Sequence, residues 1–278
     1  MRSTRWKSAL LSVILLVAFL ATWHLATVAE PVATTAAQDE YAALMGKGAE
    51  KRSGFPPPAE VGHAIVTHLS DPFRDAGPND KGIGVQLGWS LLRVGLGFAI
   101  AAVIAIPLGF AIGMSPLLYG ALDPFIQILR PVSPLAWMPL ALYTIKDSSI
   151  SGIFVIFICS VWPMLVNTAF GVASVRRDLL NVARTLEVPP LRTALRVILP
   201  AAAPTIVTGA RISMGIAWLV IVAAEMLVGG TGIGYFVWNE WNNLALPNVI
   251  FAILTIGVVG MVLDRAFALL QRAVTYAE

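Results

Sequence analysis

Apolar and polar positions along this chain fall into long blocks rather than short periods. Six apolar stretches stand out: Ala9–Val28, Leu87–Ile112, Leu122–Thr144, Ser151–Phe170, Ala201–Leu227 and Val249–Leu270. A bilayer hydrocarbon core of about 30 Å takes about 20 apolar residues of helix, each rising about 1.5 Å. Each stretch is of that order. A helix is the open-ended element that satisfies its own backbone in lipid. The pattern therefore predicts an all-α integral membrane protein with about six transmembrane helices. Between the first two stretches runs a polar segment, Glu30–Val85, rich in Ala, Gly, Pro and charge. It has too little apolar periodicity for a domain and reads as an extended loop. Within it, PPPAEVGHAIVTHL from Pro56 predicts a short helix lying on the membrane, with Pro58 in its first turn.

Composition agrees. The chain is 57% hydrophobic and 13% charged, with a mean hydropathy of +0.78, against about 25% charged residues in a soluble domain. The net charge of +3 matters less than its distribution. Arg2, Arg5 and Lys7 precede the first stretch. Arg176, Arg177, Arg184, Arg192 and Arg196 lie between the fourth and fifth, and Arg272 follows the sixth. An even number of spans puts all three groups on one side, and the positive-inside rule makes that side the cytoplasm. The segment Glu30–Val85 and the Gly-rich link Gly229–Pro247 then face outward. The Arg residues border apolar spans rather than forming a patch with aromatics, which excludes a nucleic-acid reading. The first stretch is also readable as a cleavable signal peptide, with small residues near Ala29 or Ala36 as cleavage points.

Candidate chemistry within the chain is sparse. There is no G-x-x-x-x-G-K-[S/T] phosphate loop. The nearest cluster, Gly229-Gly230-Thr231-Gly232-Ile233-Gly234, lacks the Lys and reads as a tight turn needing positive φ. There is no HExxH or CxxC, and the His residues are scattered at 24, 63 and 68. We expect no catalytic site, no metal site and no cofactor in this chain. The single cysteine, Cys159, lies inside an apolar stretch and reads as a small core residue.

One polar segment invites a function. Asn181–Pro200 reads NVARTLEVPPLRTALRVILP and sits between two spans. From Asp178, the residues Leu179, Val182, Ala183 and Leu186 recur at helical spacing and form an apolar stripe. Pro189-Pro190 ends that helix, and Leu191–Val197 predicts a second short helix leading to Pro200. Such a stripe outside the bilayer needs a cover, either a groove on a cytoplasmic partner or the lipid surface.

The spacing of this segment resembles the cytoplasmic loop of ATP-binding-cassette (ABC) importer permeases, which reads Glu-Ala-Ala, three residues, Gly, nine residues, then Ile-x-Leu-Pro. Asn181, Val182 and Ala183 stand in the first places and Glu187 in the Gly place. Val197, Leu199 and Pro200 close the pattern. The resemblance extends from about Gly84 to Ala268. It takes in SLLRVGLGFAIAAVIAIPLGFAIGMS from Ser90, LDPFIQILRPVSPLAWMPLALY from Leu122 and the PAAAPTIVTGARISMGIAWLVIVAAEMLVGGTGIG run from Pro200. Together these are similar to the branch that moves nitrate, sulfonates, taurine, cyanate and bicarbonate. ILRPVSPLAWMPL, VIFICSVWPMLVNTAFGVASV and the outer phrase SDPFRDAGPNDKGIG resemble its nitrate members most.

That resemblance implies the MetI-like type I importer fold in a bacterial inner membrane. It implies a cytoplasmic N-terminus 1–8, a first transmembrane helix 9–28, a periplasmic loop 29–84 and a five-helix transmembrane domain 85–268. That domain carries a coupling loop 173–199, and 269–278 forms a cytoplasmic tail. It implies a second permease subunit, two ATPase subunits that bind ATP and Mg, and a periplasmic binding protein that delivers substrate. Asn181, Val182, Ala183, Leu186, Glu187, Leu199 and Pro200 are the expected coupling residues, with Ala183 lying against the ATPase groove. The expected cargo is nitrate or nitrite, with bicarbonate, cyanate or a sulfonate next.

Charged residues inside spans are costly and face a cavity or a partner. Arg130, Arg211 and Glu225 are the candidates for the substrate path. Each Arg is equally readable as paired within the bundle, and for Arg211 that reading is preferred. Trp137, Trp162 and Trp218 read as packing residues. Gly109-x-x-x-Gly113 suits close helix approach, and the Pro and Gly of the spans suit bent helices around a path. A secondary carrier or channel is the alternative of another class. Carriers use internal repeats and intramembrane acids; no repeat is evident here and such acids are few. The Pro- and Gly-laden spans fit a membrane scaffold poorly.

Overall fold

The computed structural model describes residues 2–28, 55–77 and 80–274. The proposed cleavage points near Ala29 and Ala36, most of the Glu30–Val85 loop before Phe55, and the end of the tail lie outside the described residues. What is described is helical, apart from an isolated antiparallel bridge between Asp75 and Lys81. Two compact units emerge, Met1–Asp71 with Glu240–Phe251, and Pro72–Asn239 with Ala252–Glu278.

In the first unit, α1 (Arg2–Val28) is apolar and exposed along its length, from Leu10 to Leu25. The expected short helix forms as α2 (Pro58–Ser70). Extended Pro57 caps it and Pro58 occupies the first turn, where a missing N–H costs nothing. Val61 and Ala64 are its buried side chains. The Trp23 indole N–H donates to the Pro56 carbonyl at 3.1 Å, and His68 stacks on Phe251 with ring centroids 5.1 Å apart.

The second unit is built on three long helices, α3 (Ile83–Met114), α6 (Ser148–Ala173) and α9 (Leu199–Val228). Ala101, Ala105, Ile112, Val161, Met164, Leu165 and Ala169 form one buried cluster. Val172, Ile198, Ala202 and Ile206 form another. Small residues let backbones approach. A Cβ on Gly109 would lie 2.7 Å from the Leu165 carbonyl oxygen, and one on Gly113 would lie 2.5 Å from that of Ala169. The Gly-x-x-x-Gly pair thus seats α3 on α6. The last helices described are α10 (Ile233–Asn242) and α11 (Leu246–Val274).

The expected third span, Leu122–Thr144, is not one helix. It is α4 (Pro116–Leu129) and α5 (Pro134–Ile145), bent by 91° across residues 130–133. The cause is local. Pro131 and Pro134 each lack an N–H, and each pushes the preceding residue away from helical geometry; Ser133 accordingly sits at φ −58°, ψ 132°. Among the described residues, five helices are long and apolar enough to span a membrane, or six with the bent pair taken as one.

Candidate functional site

The segment between α6 and α9 folds into short helices, as its pattern predicts. α7 (Arg177–Thr185) is followed by α8 (Pro190–Thr193) and a π turn (Ala194–Ile198) that runs directly into α9. The π turn comes just before Pro200, which cannot donate to the helical ladder. α7 ends in a Schellman motif. The Val188 N–H bonds the Ala183 carbonyl at 3.0 Å, and the Glu187 N–H bonds that of Arg184 at 3.0 Å. This motif places Glu187 at φ 49°, in the left-handed region. The position where the resembled loop carries Gly is thus one whose backbone favours Gly.

The apolar stripe divides. Leu179, Val182 and Leu186 are exposed, as are Leu191 and Leu195 beyond the Pro pair. Ala183 is 3% exposed, covered by the chain itself rather than open to a partner. Asn181, Glu187 and Pro200 are exposed, and Leu199 is half-buried. The surface left open is a row of aliphatic side chains interleaved with Arg184, Arg192 and Arg196.

The three intramembrane charges have different surroundings. Arg130 lies at the break between α4 and α5 and makes no side-chain hydrogen bond or ion pair among the described residues. It lines two cavities. One, of about 610 Å³, also takes in Tyr119, Asp123 and Gln127. The other, of about 370 Å³, takes in Ser133, Trp137, Trp162 and Asn167. Arg211, by contrast, is spent. Its Nε and Nη2 grip the two oxygens of Asp264 at 2.6 Å each. Gln271, 3.5 Å from Arg211, in turn donates to Thr208 at 2.9 Å. This fork ties α9 to α11, as the preferred reading of Arg211 requires.

Glu225 is buried in a network that sequence reasoning did not find. Its carboxylate accepts from the Ser90 hydroxyl (2.9 and 2.8 Å), from Arg93 Nη1 (2.7 Å) and from the Gly234 N–H (3.0 Å). Arg93 also donates to Ser149 Oγ at 2.9 Å and to the Thr231 carbonyl at 2.5 Å. Gln86 Oε1 and Ser90 Oγ accept from the Gly232 and Ile233 N–H groups, at 2.6 and 2.9 Å. The Gly cluster is the tight turn expected, with φ of 76° at Gly229 and 96° at Gly230. A Cβ on Gly232 would overlap the Glu225 carboxylate. The turn is thus held by side chains from α3 and α9. Arg93 lies in an apolar stretch just as Arg130 does, and Asp264 is an acid in the last stretch. Those lone charges were the available signal.

Residues 105–276 match the family described as "Binding-protein-dependent transport system inner membrane component". The chain is 45% identical to the nitrate import permease protein NrtB of Synechocystis sp. strain PCC 6803, over 81% of this chain and 82% of that protein. It is 43% identical to the bicarbonate transport system permease protein CmpB of the same strain, over 79% and 80% of the two chains. Among solved structures it is similar to a chain of the MetNI methionine ABC transporter in an inward-facing conformation. There the TM-score is 0.60 and the identity 16%, over 68% of this chain and 94% of that one. The fold is the type I importer permease fold that the sequence implied.

Proposed function

The chain belongs to the binding-protein-dependent transport system inner membrane components, a multi-pass protein of the inner membrane, and we propose that it imports nitrate or nitrite as the permease subunit of an ATP-driven complex. The observation that carries the substrate class is the 45% identity, over four-fifths of the chain, to a nitrate import permease. Arg130 supports it as a cation without a counterion at the α4–α5 break, bordering two cavities. A small anion crossing a low-dielectric region needs positive potential along its path. Arg211 and Glu225, both paired, contribute by holding the helices around it.

Energy comes from a separate ATPase subunit that binds ATP and Mg and hydrolyses the nucleotide. It docks on the exposed stripe of Leu179, Val182 and Leu186, with Asn181, Glu187, Leu199 and Pro200 around it. Ala183 sets the packing beneath that stripe. Two copies of the permease pair in the bilayer, and a periplasmic binding protein delivers the anion to the face that carries Asp75 and the Gly-rich turn. Bicarbonate is the second reading, favoured by the 43% identity to a bicarbonate permease. Uptake of labelled nitrate, bicarbonate and taurine into vesicles holding the full complex decides between them. ATP-dependent uptake of nitrate above the other two is the expected result. Uptake of bicarbonate alone refutes the nitrate reading, and uptake without ATP refutes the class.

A further inference from the structure

The smaller cavity at the helix break differs from its larger neighbour in the kind of polar side chain that lines it. Arg130, Ser133, Trp137, Trp162 and Asn167 supply its polar side chains, and Cys159 lies on its wall. Every one of those five side chains carries a hydrogen-bond donor: a guanidinium, a hydroxyl, two indole N–H groups and an amide. No Asp or Glu lines it, whereas Asp123 stands with Arg130 on the larger cavity. The donors are also unspent. Among the described residues neither indole N–H, nor the Ser133 hydroxyl, nor the Arg130 guanidinium has a partner. Asn167 uses one amide hydrogen on the Pro163 carbonyl at 2.7 Å and keeps the other. Two indole N–H groups without a protein acceptor thus line the same cavity as a cation without a counterion. Its volume of about 370 Å³ accommodates a small anion with part of its hydration shell, at about 30 Å³ per water.

We propose that this cavity binds a small oxyanion that only accepts hydrogen bonds, nitrate or nitrite, with Arg130 as its countercharge. The proposal rests on the import function above and adds a selectivity mechanism to it. Bicarbonate carries an O–H as well, for which the lining side chains offer only the neutral oxygens of Ser133 and Asn167 and no carboxylate. Taurine carries an ammonium, which Arg130 repels and no acid offsets. Nitrate and nitrite present acceptors alone, which suits a lining with a donor on each of its five polar side chains.

The chain's single cysteine reports on the site. Vesicles holding the complete transporter are treated with a small methanethiosulfonate, and modification of Cys159 is followed by intact mass of the permease. Nitrate at about ten times its half-protecting concentration should slow modification about tenfold, as simple occupancy requires. Bicarbonate and taurine at the same concentration should slow it less than about twofold. Arg130→Gln should remove the protection while the complex still assembles. Equal protection by all three solutes overturns the proposal, as does protection that survives Arg130→Gln. An absence of protection in vesicles that do import nitrate sinks the site and leaves the import function standing. An absence of both sinks the two together. Should Cys159 prove unreactive, the readout moves to Ile212→Cys, an apolar position on the same cavity, in a Cys159→Ser chain. Should Arg130→Gln fail to assemble, Trp162→Phe deletes one donor and keeps most of the ring; it must weaken protection about threefold or more.

Discussion

Glu225→Gln is the sharpest probe of how the bundle is held. The carboxylate is 5% exposed, and it accepts from Ser90, Arg93 and the Gly234 N–H. Gln keeps the length and one acceptor oxygen. It loses the charge and turns an NH₂ toward groups that are themselves donors. Arg93, with a side chain 12% exposed, is then left nearly buried without its counterion. Removing one partner of a buried pair costs about 3–5 kcal/mol, most of it the uncompensated charge. For a chain of this size each kcal/mol moves a melting midpoint by about 2–4 °C. The apparent midpoint of the detergent-solubilised permease should therefore fall by about 6–20 °C. Arg93→Met in the same chain removes the stranded charge. The double variant should recover part of the loss, though not the bonds from Arg93 to Ser149 and Thr231. A double-variant loss equal to the sum of the singles means the pair is uncoupled. That result, or a fall of less than about 2 °C for Glu225→Gln, refutes the reasoning.

Other outcomes follow from the same geometry. Arg130→Gln should lower nitrate uptake steeply in assembled complexes, and Arg130→Lys should keep part of it, because charge rather than fork geometry is at stake; equal uptake by Gln and Arg refutes the electrostatic role. Leu186→Glu places a charge on an exposed side chain, so the permease should fold normally and lose substrate-stimulated ATP hydrolysis. Ala183→Trp, on a buried position, should instead destabilise the permease itself, and a normal melting midpoint for that variant contradicts the burial of Ala183. Glu187→Gly relieves a left-handed conformation that costs about 1–2 kcal/mol, offset by about 0.5–1 kcal/mol of added chain entropy; the melting midpoint should rise slightly, and a fall contradicts the assigned backbone. In a Cys159→Ser background an impermeant thiol reagent should label Asp75→Cys from outside and Arg177→Cys only from inside; labelling of position 177 in intact cells overturns the orientation.

Much of this protein was written in its one-dimensional pattern, because membrane spans obey a local rule. Every backbone group in lipid must be paired within its own segment, so length and apolarity alone disclose α1, α3, α6, α9 and α11. Local stereochemistry was equally legible. Pro58 opens α2, Pro189-Pro190 separates α7 from α8, and the Gly229–Gly234 turn takes the positive φ its glycines permit. The segment Asn181–Pro200 stood out by its register, and the Gly place of that register is the left-handed position at Glu187. Pairing was another matter. Whether an intramembrane charge is spent or free depends on side chains brought together from distant parts of the chain. Arg93 meets Glu225 across 132 positions and Arg211 meets Asp264 across 53, and no local pattern encodes either meeting. Arg130 and Arg211 are alike in local pattern, each a lone cation in an apolar stretch, yet the bundle gives Arg211 a fork of carboxylate oxygens and leaves Arg130 on the walls of two cavities. The split of the apolar stripe, with Ala183 turned in and Leu186 turned out, was decided in the same way. Helical spacing names a face, but only the neighbouring helices decide which edge of that face is covered.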